Sequence, residues 1–242
     1  MRGRLISVAT AGVCVASLAA SPPVASSSAS TVTVLTCFGQ AATIVEHRDD
    51  VTVLGTSGPD VIVAPDGAPV RARGGDDLVC GVSGIWGGAG DDRIVKQRHS
   101  RGLLFNSLAV GGPGDDEIHR EEPFIDDVHL LVMIGGPGND ILVGGANPDS
   151  LRGGPGADHL DGRRQFDLVN GGLGPDVLVG GFFRDHLLGG PGPDRILGGT
   201  GKDTASGGRG DDRILGQRGV DAAYGGLGSD VCRAETVVSC GD

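Results

Sequence analysis

The stretch GGPGNDILV, at residues 135–143, begins eleven consecutive nine-residue units that run without insertion to GGLGSDVCR at residues 225–233. Each unit begins with glycine and carries aspartate at its sixth position. A short fixed period of this kind indicates a solenoid rather than a globular core. The glycines predict a tight turn, and positions seven to nine predict a very short strand with one inward side chain. That inward eighth position is apolar at Leu142, Leu151, Leu160, Val169, Leu178, Leu187, Ile196 and Ile214.

The pattern resembles the RTX, or haemolysin-type, calcium-binding nonapeptide repeat GGxGxDxUx. The resemblance covers roughly residues 55–233. It implies an all-β fold, a right-handed parallel β-roll (a β-solenoid) in which two nonapeptides form one 18-residue turn. It also implies that calcium ions lie between successive turns. The flanking segments, at residues 36–39 and 234–242, resemble the caps of actinobacterial secreted proteins of this type.

With 18 residues per turn, alternate units lie on opposite edges of the roll and differ in glycine content. The first edge keeps the glycines, in the units that begin at Gly135, Gly153, Gly171, Gly189, Gly207 and Gly225. The second edge has lost many of them, and Asn147, Gln165 and Phe183 replace the fourth glycine there. We expect this replacement to restrict the turn, because few residues other than glycine adopt its backbone angles.

Four earlier units extend the first edge if insertions are assigned to the second edge. The steps from Gly87 to Gly111 and from Gly111 to Gly135 are each 24 residues, one turn plus six, which predicts enlarged half-turns at residues 96–110 and 120–134. The units at residues 55–60 and 72–77 join through slightly shortened turns. The first edge then carries ten aspartates: Asp60, Asp77, Asp92, Asp116, Asp140, Asp158, Asp176, Asp194, Asp212 and Asp230.

A column of carboxylates needs a cation. Neighbouring strands lie about 4.8 Å apart, and two unit charges at that distance repel by about 3 kcal/mol at an effective dielectric near 20. Calcium accepts six to eight oxygen ligands in irregular geometry, whereas Mg²⁺ demands an octahedron and zinc favours His and Cys clusters. The resemblance therefore implies several Ca²⁺ ions, held by the ten aspartates and by the turn carbonyls of Gly135, Gly153, Gly171, Gly189, Gly207 and Gly225. The secondary candidates are Asp149, Asp167, Asp185, Asp203 and Asp221 on the second edge; the alternative is that the aspartates only form turns.

Composition favours folding that depends on metal. The chain has 46 glycines, 3% aromatic residues and a net charge of −11, which cannot support an ordinary core of this length. We therefore expect a largely disordered metal-free chain that folds when calcium binds. The acidic charge gives no reason to expect a nucleic-acid partner.

The N-terminus predicts secretion. A basic start and an apolar stretch at residues 5–20 precede a small-residue segment, which is typical of a cleaved signal peptide with the cut between residues 20 and 30. We assign residues 1–26 to the signal peptide, 27–54 to an N-terminal cap, 55–233 to the roll and 234–242 to a C-terminal cap. No membrane span is expected after cleavage, and the mature chain is expected outside the cell.

Four cysteines remain after cleavage, an even number that suits an oxidising compartment. We expect Cys232 to pair with Cys240 and Cys37 with Cys80, each pair stapling a cap; the alternative is four free thiols. Covered ends matter because an open strand edge invites association.

No catalytic motif stands out, and we expect a non-enzyme. The six histidines show no HExxH spacing, GxSxG is missing, and the GKD at residues 201–203 lacks the rest of a P-loop. The leading function is a structural or surface-interaction role for a secreted calcium-binding roll. A second is adhesion, through binding of a glycan or an anionic envelope polymer. A third is an accessory domain derived from an RTX enzyme or toxin, although the repeats leave little room for a catalytic domain.

The second edge carries the residues on which adhesion would depend. We name as the partner strip the cations and aromatics of two stacked half-turns, Arg163, Arg164, Phe166, Phe182, Phe183 and Arg184. The alternative is that these phenylalanines only cover the flank of the solenoid. In that interpretation the two enlarged loops pair their charges with each other. The basic residues of the first loop are Lys96, Arg98 and Arg101, and the acidic residues of the second are Glu121, Glu122, Asp126 and Asp127.

Overall fold

The computed structural model describes residues 35–97, 108–121 and 130–240, and the regular elements in these ranges are all β-strands. A short antiparallel hairpin, β1 (Thr36–Cys37) with β2 (Gln40–Ala41), precedes two parallel sheets of eleven strands each. The all-β parallel β-solenoid expected from the repeat is confirmed. Within the described ranges there is no helix long and apolar enough to cross a membrane.

The chain alternates between the two sheets, so one strand from each makes a turn of the solenoid. One sheet contains β3 (Ile44–Val45), β5 (Val61–Ala64), β7 (Leu78–Gly81), β9 (Arg93–Lys96), β11 (Glu117–Arg120), β13 (Ile141–Val143), β15 (His159–Arg164), β17 (Val177–Phe182), β19 (Arg195–Gly201), β21 (Arg213–Gly219) and β23 (Val231–Arg233). The other contains β4 (Val53–Leu54), β6 (Val70–Gly74), β8 (Ile85–Ala89), β10 (Leu108–Val110), β12 (Leu131–Ile134), β14 (Asp149–Pro155), β16 (Leu168–Leu173), β18 (His186–Pro191), β20 (Thr204–Arg209), β22 (Ala222–Leu227) and β24 (Thr236–Ser239).

The register between neighbouring strands is the 18-residue period. Leu142 pairs with Leu160, and Leu160 pairs with Leu178. Because side chains alternate across a strand, each eighth-position residue points inward, and the predicted set from Leu142 to Ile214 is buried. These side chains form a single thin core between the two sheets.

Upstream of residue 135 the register absorbs the insertions. Ile94 pairs with Ile118, and Ile118 pairs with Leu142, so each 24-residue step still advances the chain by one turn. Strands β9 and β11 end at Lys96 and Arg120 on the second edge, where the two insertions begin. Most of the predicted enlarged half-turns, including Arg98, Arg101, Glu122, Asp126 and Asp127, lies outside the described residues.

Most strands in the regular block are longer than the three residues predicted. Strand β15 runs from His159 to Arg164 and therefore includes the first residues of the following unit. The reason is that pairing continues into the turn, where Arg163 faces Gly181 and Arg164 faces Phe182. The turns are thus part of the sheets rather than loose connections.

Both ends of the solenoid carry a disulfide. Cys37 of the hairpin is bonded to Cys80 of β7, with Cα atoms 5.6 Å apart, and a small apolar cluster surrounds this bond. Cys232 is bonded to Cys240, with Cα atoms 5.9 Å apart. These are the two expected pairs.

Candidate metal centre

The ten first-edge aspartates form one continuous ladder. The backbone N–H of Asp140 donates to Oδ1 of Asp158 at 2.8 Å, and the N–H of Asp158 donates to Oδ1 of Asp176 at 2.9 Å. The same bond links every successive pair from Asp60 to Asp230. The turns of 15, 17, 18 and 24 residues thus place their aspartates in a single column.

The second oxygen of these carboxylates has no hydrogen-bond partner. Oδ2 is buried and unpaired in nine of the ten, namely Asp77, Asp92, Asp116, Asp140, Asp158, Asp176, Asp194, Asp212 and Asp230. Asp60, at the N-terminal end, differs because its Oδ2 accepts the N–H of Thr56 at 2.6 Å. Nearly all buried polar atoms in proteins have partners, so a run of unpaired carboxylate oxygens indicates positions for a cation.

The first glycine of each unit keeps space open beside the unpaired oxygen. A Cβ on Gly153 would collide with Oδ2 of Asp158 and would lie 2.6 Å from the carbonyl oxygen of Gly171 in the next turn. A carboxylate and a turn carbonyl therefore flank the same point between turns. The same crowding recurs at Gly189 and Gly207.

Turn carbonyls are also hydrogen-bonded between turns. The carbonyl of Gly135 accepts the N–H of Gly112 at 2.9 Å, and that of Gly153 accepts the N–H of Gly136 at 3.0 Å. A carbonyl oxygen has a second lone pair, so these bonds leave capacity for a metal. The role of the six predicted carbonyls as ligands stays a prediction.

Electrostatics of the column favour a bound cation at neutral pH. Removal from water is the largest cause that raises the pKa of these carboxyls, to about 7 at Asp140 and Asp194 and to about 8 at Asp116. Neighbouring carboxylates raise the pKa of Asp116 further, while the donated backbone N–H lowers it. A cation at Oδ2 would remove the cost of ionising these groups.

The second edge carries a ladder of the same kind. Asp149, Asp167, Asp185, Asp203 and Asp221 are linked by N–H to Oδ1 bonds of 2.8–3.0 Å. Oδ2 is buried and unpaired in all of these except Asp149, so four positions match those of the first edge. The loss of glycines has therefore not removed the carboxylate environment.

In two of the three second-edge units that lack the fourth glycine, a non-glycine residue retains the turn conformation; the exception is the unit at residues 144–149, where neither Gly145 nor Asn147 has a positive φ. Gln165 has φ 72° and Phe183 has φ 81°, both in the left-handed region that glycine fills on the first edge. Arg163 and Gln217 adopt the same region at φ 75° and 79°. At Gln165 and Phe183 the expected restriction appears as backbone strain, about 1–3 kcal/mol for each such residue, whereas the unit that contains Asn147 adopts a different turn.

Three residues, Glu235, Lys96 and Arg120, make contacts on the second edge that the repeat pattern does not predict. Glu235 extends the second-edge ladder, because its Oε2 accepts the N–H of Asp221 at 3.0 Å. Lys96, expected to pair with the acidic loop, is instead buried and donates to the carbonyl of Val82 at 2.6 Å. Arg120 bonds to Asp149. Lys96 and Arg120 occupy the register position at which later second-edge units begin with glycine, but none of the three residues matches the repeat pattern, so periodicity did not predict these contacts.

The donor set suits calcium. Among the described residues no three His, Cys, Asp or Glu side chains converge on one point. Each position therefore offers one or two carboxylates supplemented by backbone carbonyls. All-oxygen ligation of this kind is what calcium accepts.

The partner strip lies exposed on the second edge. Its three phenylalanines, Phe166, Phe182 and Phe183, are 51–58% exposed. The guanidinium of Arg164 lies 5.8 Å from the centre of the Phe182 ring. A groove of about 470 Å³ beside it is lined by Asp161, Arg163, Arg164, Val179, Gly181, Phe182, Gly199 and Gln217.

Comparison with known proteins gives one finding. The family model of the RTX calcium-binding nonapeptide repeat matches the chain in four copies, at residues 85–95, 134–169, 170–205 and 197–232. Neither a curated protein nor a solved structure matches the chain. The matched residues include the regular block and one of the upstream first-edge units.

Proposed function

Because the chain carries RTX calcium-binding nonapeptide repeats, which bind multiple Ca²⁺ ions, in a parallel β-roll, we propose that it is a secreted, non-enzymatic protein that folds on binding calcium outside the cell. The observation that carries this proposal is the set of unpaired Oδ2 atoms, nine on the first edge and four on the second. Without a cation, burial of these unpaired oxygens opposes folding. With calcium the same groups become ligands.

Circular dichroism and calorimetry test the proposal together. In excess chelator we expect most of the β signal to be lost, and in millimolar calcium we expect it to return in one cooperative step. Magnesium at the same concentration is the control and should restore little of the signal. Equal β content in chelator and in calcium would refute calcium-dependent folding.

The number of ions bound separates the two edges. A calorimetric count near nine per chain would confine binding to the first edge, and a count near thirteen would include the second edge. A count near five, the number of gaps between the six first-edge aspartates from Asp140 to Asp230, would restrict calcium to the first edge of the uninterrupted block.

Two observations support export. The four cysteines of the described residues form two disulfides, which suits an oxidising compartment. Millimolar calcium outside cells also matches the weak affinity of extracellular calcium modules. N-terminal sequencing of protein collected from culture medium checks this, since the expected new N-terminus follows a cut between residues 20 and 30.

A second candidate function is binding of an anionic envelope polymer or polysaccharide by the partner strip. It is favoured by the juxtaposition of exposed Phe182 with Arg164, whose guanidinium lies 5.8 Å from the centre of the Phe182 ring. Register places Arg164 next to Phe182 on adjacent turns. One cation and one aromatic ring therefore lie side by side on this face.

Substitution of the strip arginines tests this candidate. The triple variant with Arg163, Arg164 and Arg184 changed to Ser should lose retention on envelope preparations while calcium-dependent folding is unchanged. A control variant with Arg152, Arg195 and Arg213 changed to Ser removes the same charge from outward strand positions elsewhere. Equal retention of the two variants would exclude the strip as the contact.

A further inference from the structure

Two basic side chains occupy matched positions on the second edge, ahead of its carboxylate ladder. Lys96 ends β9 and Arg120 ends β11, and the two residues are paired in register. His119 pairs with Val143, so the position of Arg120 corresponds to Gly144, the first residue of a second-edge unit. Where later turns have glycine, these two turns have a cation.

Lys96 contacts backbone oxygens across the gap to the preceding turn. Its side chain is buried, and Nζ donates to the carbonyls of Val82 and Ser83 in the short connection between β7 and β8. Turn carbonyls are the groups that repeat turns offer to calcium. Burial lowers the pKa of Lys96 to about 7, so below that pH an ammonium group supplies positive charge to such oxygens without a metal.

Arg120 contacts the first carboxylate of the second-edge ladder. Its Nη1 donates to Oδ1 of Asp149 at 2.8 Å, with 14% of the arginine side chain and none of the aspartate side chain exposed. Oδ2 of Asp149 accepts the N–H of Gly145 at 2.7 Å. Asp149 thus has partners on both oxygens, whereas Oδ2 of Asp167, in the next turn, has none.

The chain makes room for this arginine. A Cβ on Gly145 would lie 2.6 Å from Cδ of Arg120, so any larger residue would displace the side chain. The turn before Asp149 also has no aspartate in the ladder, since Leu131 of β12 pairs with Asp149. Arg120 therefore lies in the gap between turns where the second-edge column begins.

We propose that Arg120 is a built-in cation that takes the place of calcium in the first gap of the second edge, so that calcium binding on this edge begins at Asp167. The proposal rests on the calcium-dependent function proposed above. It predicts that removal of the guanidinium creates a new calcium position at Asp149.

The experiment compares calcium stoichiometry of the full chain with that of Arg120→Gln, by equilibrium dialysis and calorimetry. We expect Arg120→Gln to bind one more Ca²⁺ per chain than the wild type, and to need calcium for amide protection of β14. The double variant Arg120→Gln/Asp149→Asn should lose the additional ion. Arg120→Lys should keep the wild-type count, because it keeps a cation, and Arg195→Gln is the charge-matched control on an exposed strand position.

Two results would overturn the inference. One is a folded Arg120→Gln protein with the wild-type number of ions. The other is that Arg120→Gln does not fold at any calcium concentration, whereas the double variant Arg120→Gln/Asp149→Asn does fold. That result would mean that calcium cannot replace the guanidinium beside Asp149. A wild-type chain that binds no calcium would instead refute the proposed function.

Discussion

Asp176→Asn should destabilise the roll in calcium and stabilise it in chelator. Asp176 is 1% exposed and lies in the middle of the regular first-edge block. Its Oδ1 accepts the N–H of Asp158 at 2.9 Å, and its Oδ2 has no partner. Asparagine keeps one oxygen for the ladder bond and removes the negative charge. The substitution therefore separates a metal ligand from a turn-forming residue.

The expected sizes follow from binding and from the pKa of Asp176. A site with a dissociation constant of about 10⁻⁴–10⁻³ M contributes about 0.6–1.8 kcal/mol at ~2 mM calcium, and this contribution is lost in the variant. Without calcium, burial raises the pKa of Asp176 to about 6 from 3.8. At about 1.4 kcal/mol per pKa unit, neutralising this group stabilises the folded metal-free chain by up to about 3 kcal/mol at pH 7.

Folding can be measured in both states. In 2 mM calcium, urea unfolding followed by circular dichroism gives the loss, and in chelator an osmolyte such as TMAO can induce folding so that the gain is measurable. Asp50→Asn, at an exposed turn, is the charge-matched control and should change little in either condition. If Asp176→Asn destabilises the chain equally in calcium and in chelator, Asp176 is a turn former and the metal assignment of the column fails.

Three further expectations follow from the second edge and from the acid columns. Burial also raises the pKa of Asp203, to about 6. If calcium binds the second edge, Asp203→Asn should therefore destabilise the roll in calcium and stabilise it in chelator, as Asp176→Asn does. Stabilisation in chelator with no loss of stability in calcium would show that calcium does not bind at Asp203. In chelator, circular dichroism should show a more folded chain at pH 4–5 than at pH 7–8. The column carboxyls have folded-state pKa values of about 6–8, above the ordinary 3.8, so the stability that they contribute when protonated is lost as pH rises through about 6–8. A metal-free chain whose folding does not depend on pH would contradict this. Gln165→Gly should stabilise the roll by about 1 kcal/mol in urea unfolding, since glycine adopts the positive φ of this position without strain. The control is Ala157→Gly, at an exposed position without a positive φ, which should not stabilise the roll. Equal effects of the two substitutions would exclude strain at Gln165.

The periodic part of the fold can be predicted from the sequence because, in a solenoid, the number of residues between equivalent positions sets which strands pair and in which register. Nine residues from one inward leucine to the next place Leu142 and Leu151 in opposite sheets, and 18 residues place Leu142 beside Leu160. The ladder of first-edge aspartates follows from the same spacing. Even the 24-residue steps were assignable, because only one placement of six extra residues keeps Asp92, Asp116 and Asp140 in one column.

Contacts outside the period were not predictable in this way. Arg120 reaches Asp149 across 29 residues, and Lys96 reaches Val82 across 14. Neither separation is a multiple of the repeat, and each depends on how a non-repeat connection folds. Glu235 joins the second-edge ladder 14 residues after Asp221 because the last turn is shortened. The loss of glycines on the second edge predicted a restricted turn there, yet Gln165 and Phe183 still have a positive φ, because the neighbouring turns impose this backbone conformation on them.

The two columns explain why folding and metal binding should be a single process in this chain. Each regular turn buries two apolar side chains, such as Leu160 and Val169, and two carboxylates, such as Asp158 and Asp167. The sixth-position aspartate lies only two residues before the inward eighth-position side chain. When that apolar side chain packs into the core, Oδ2 of the aspartate is therefore also buried away from water. Because each ladder bond runs from one turn to the next, an ion that stabilises one turn also fixes the carboxylate that the neighbouring turn must use. Calcium occupancy should therefore spread along the roll, and Arg120 supplies at one boundary the positive charge that would otherwise have to come from an ion.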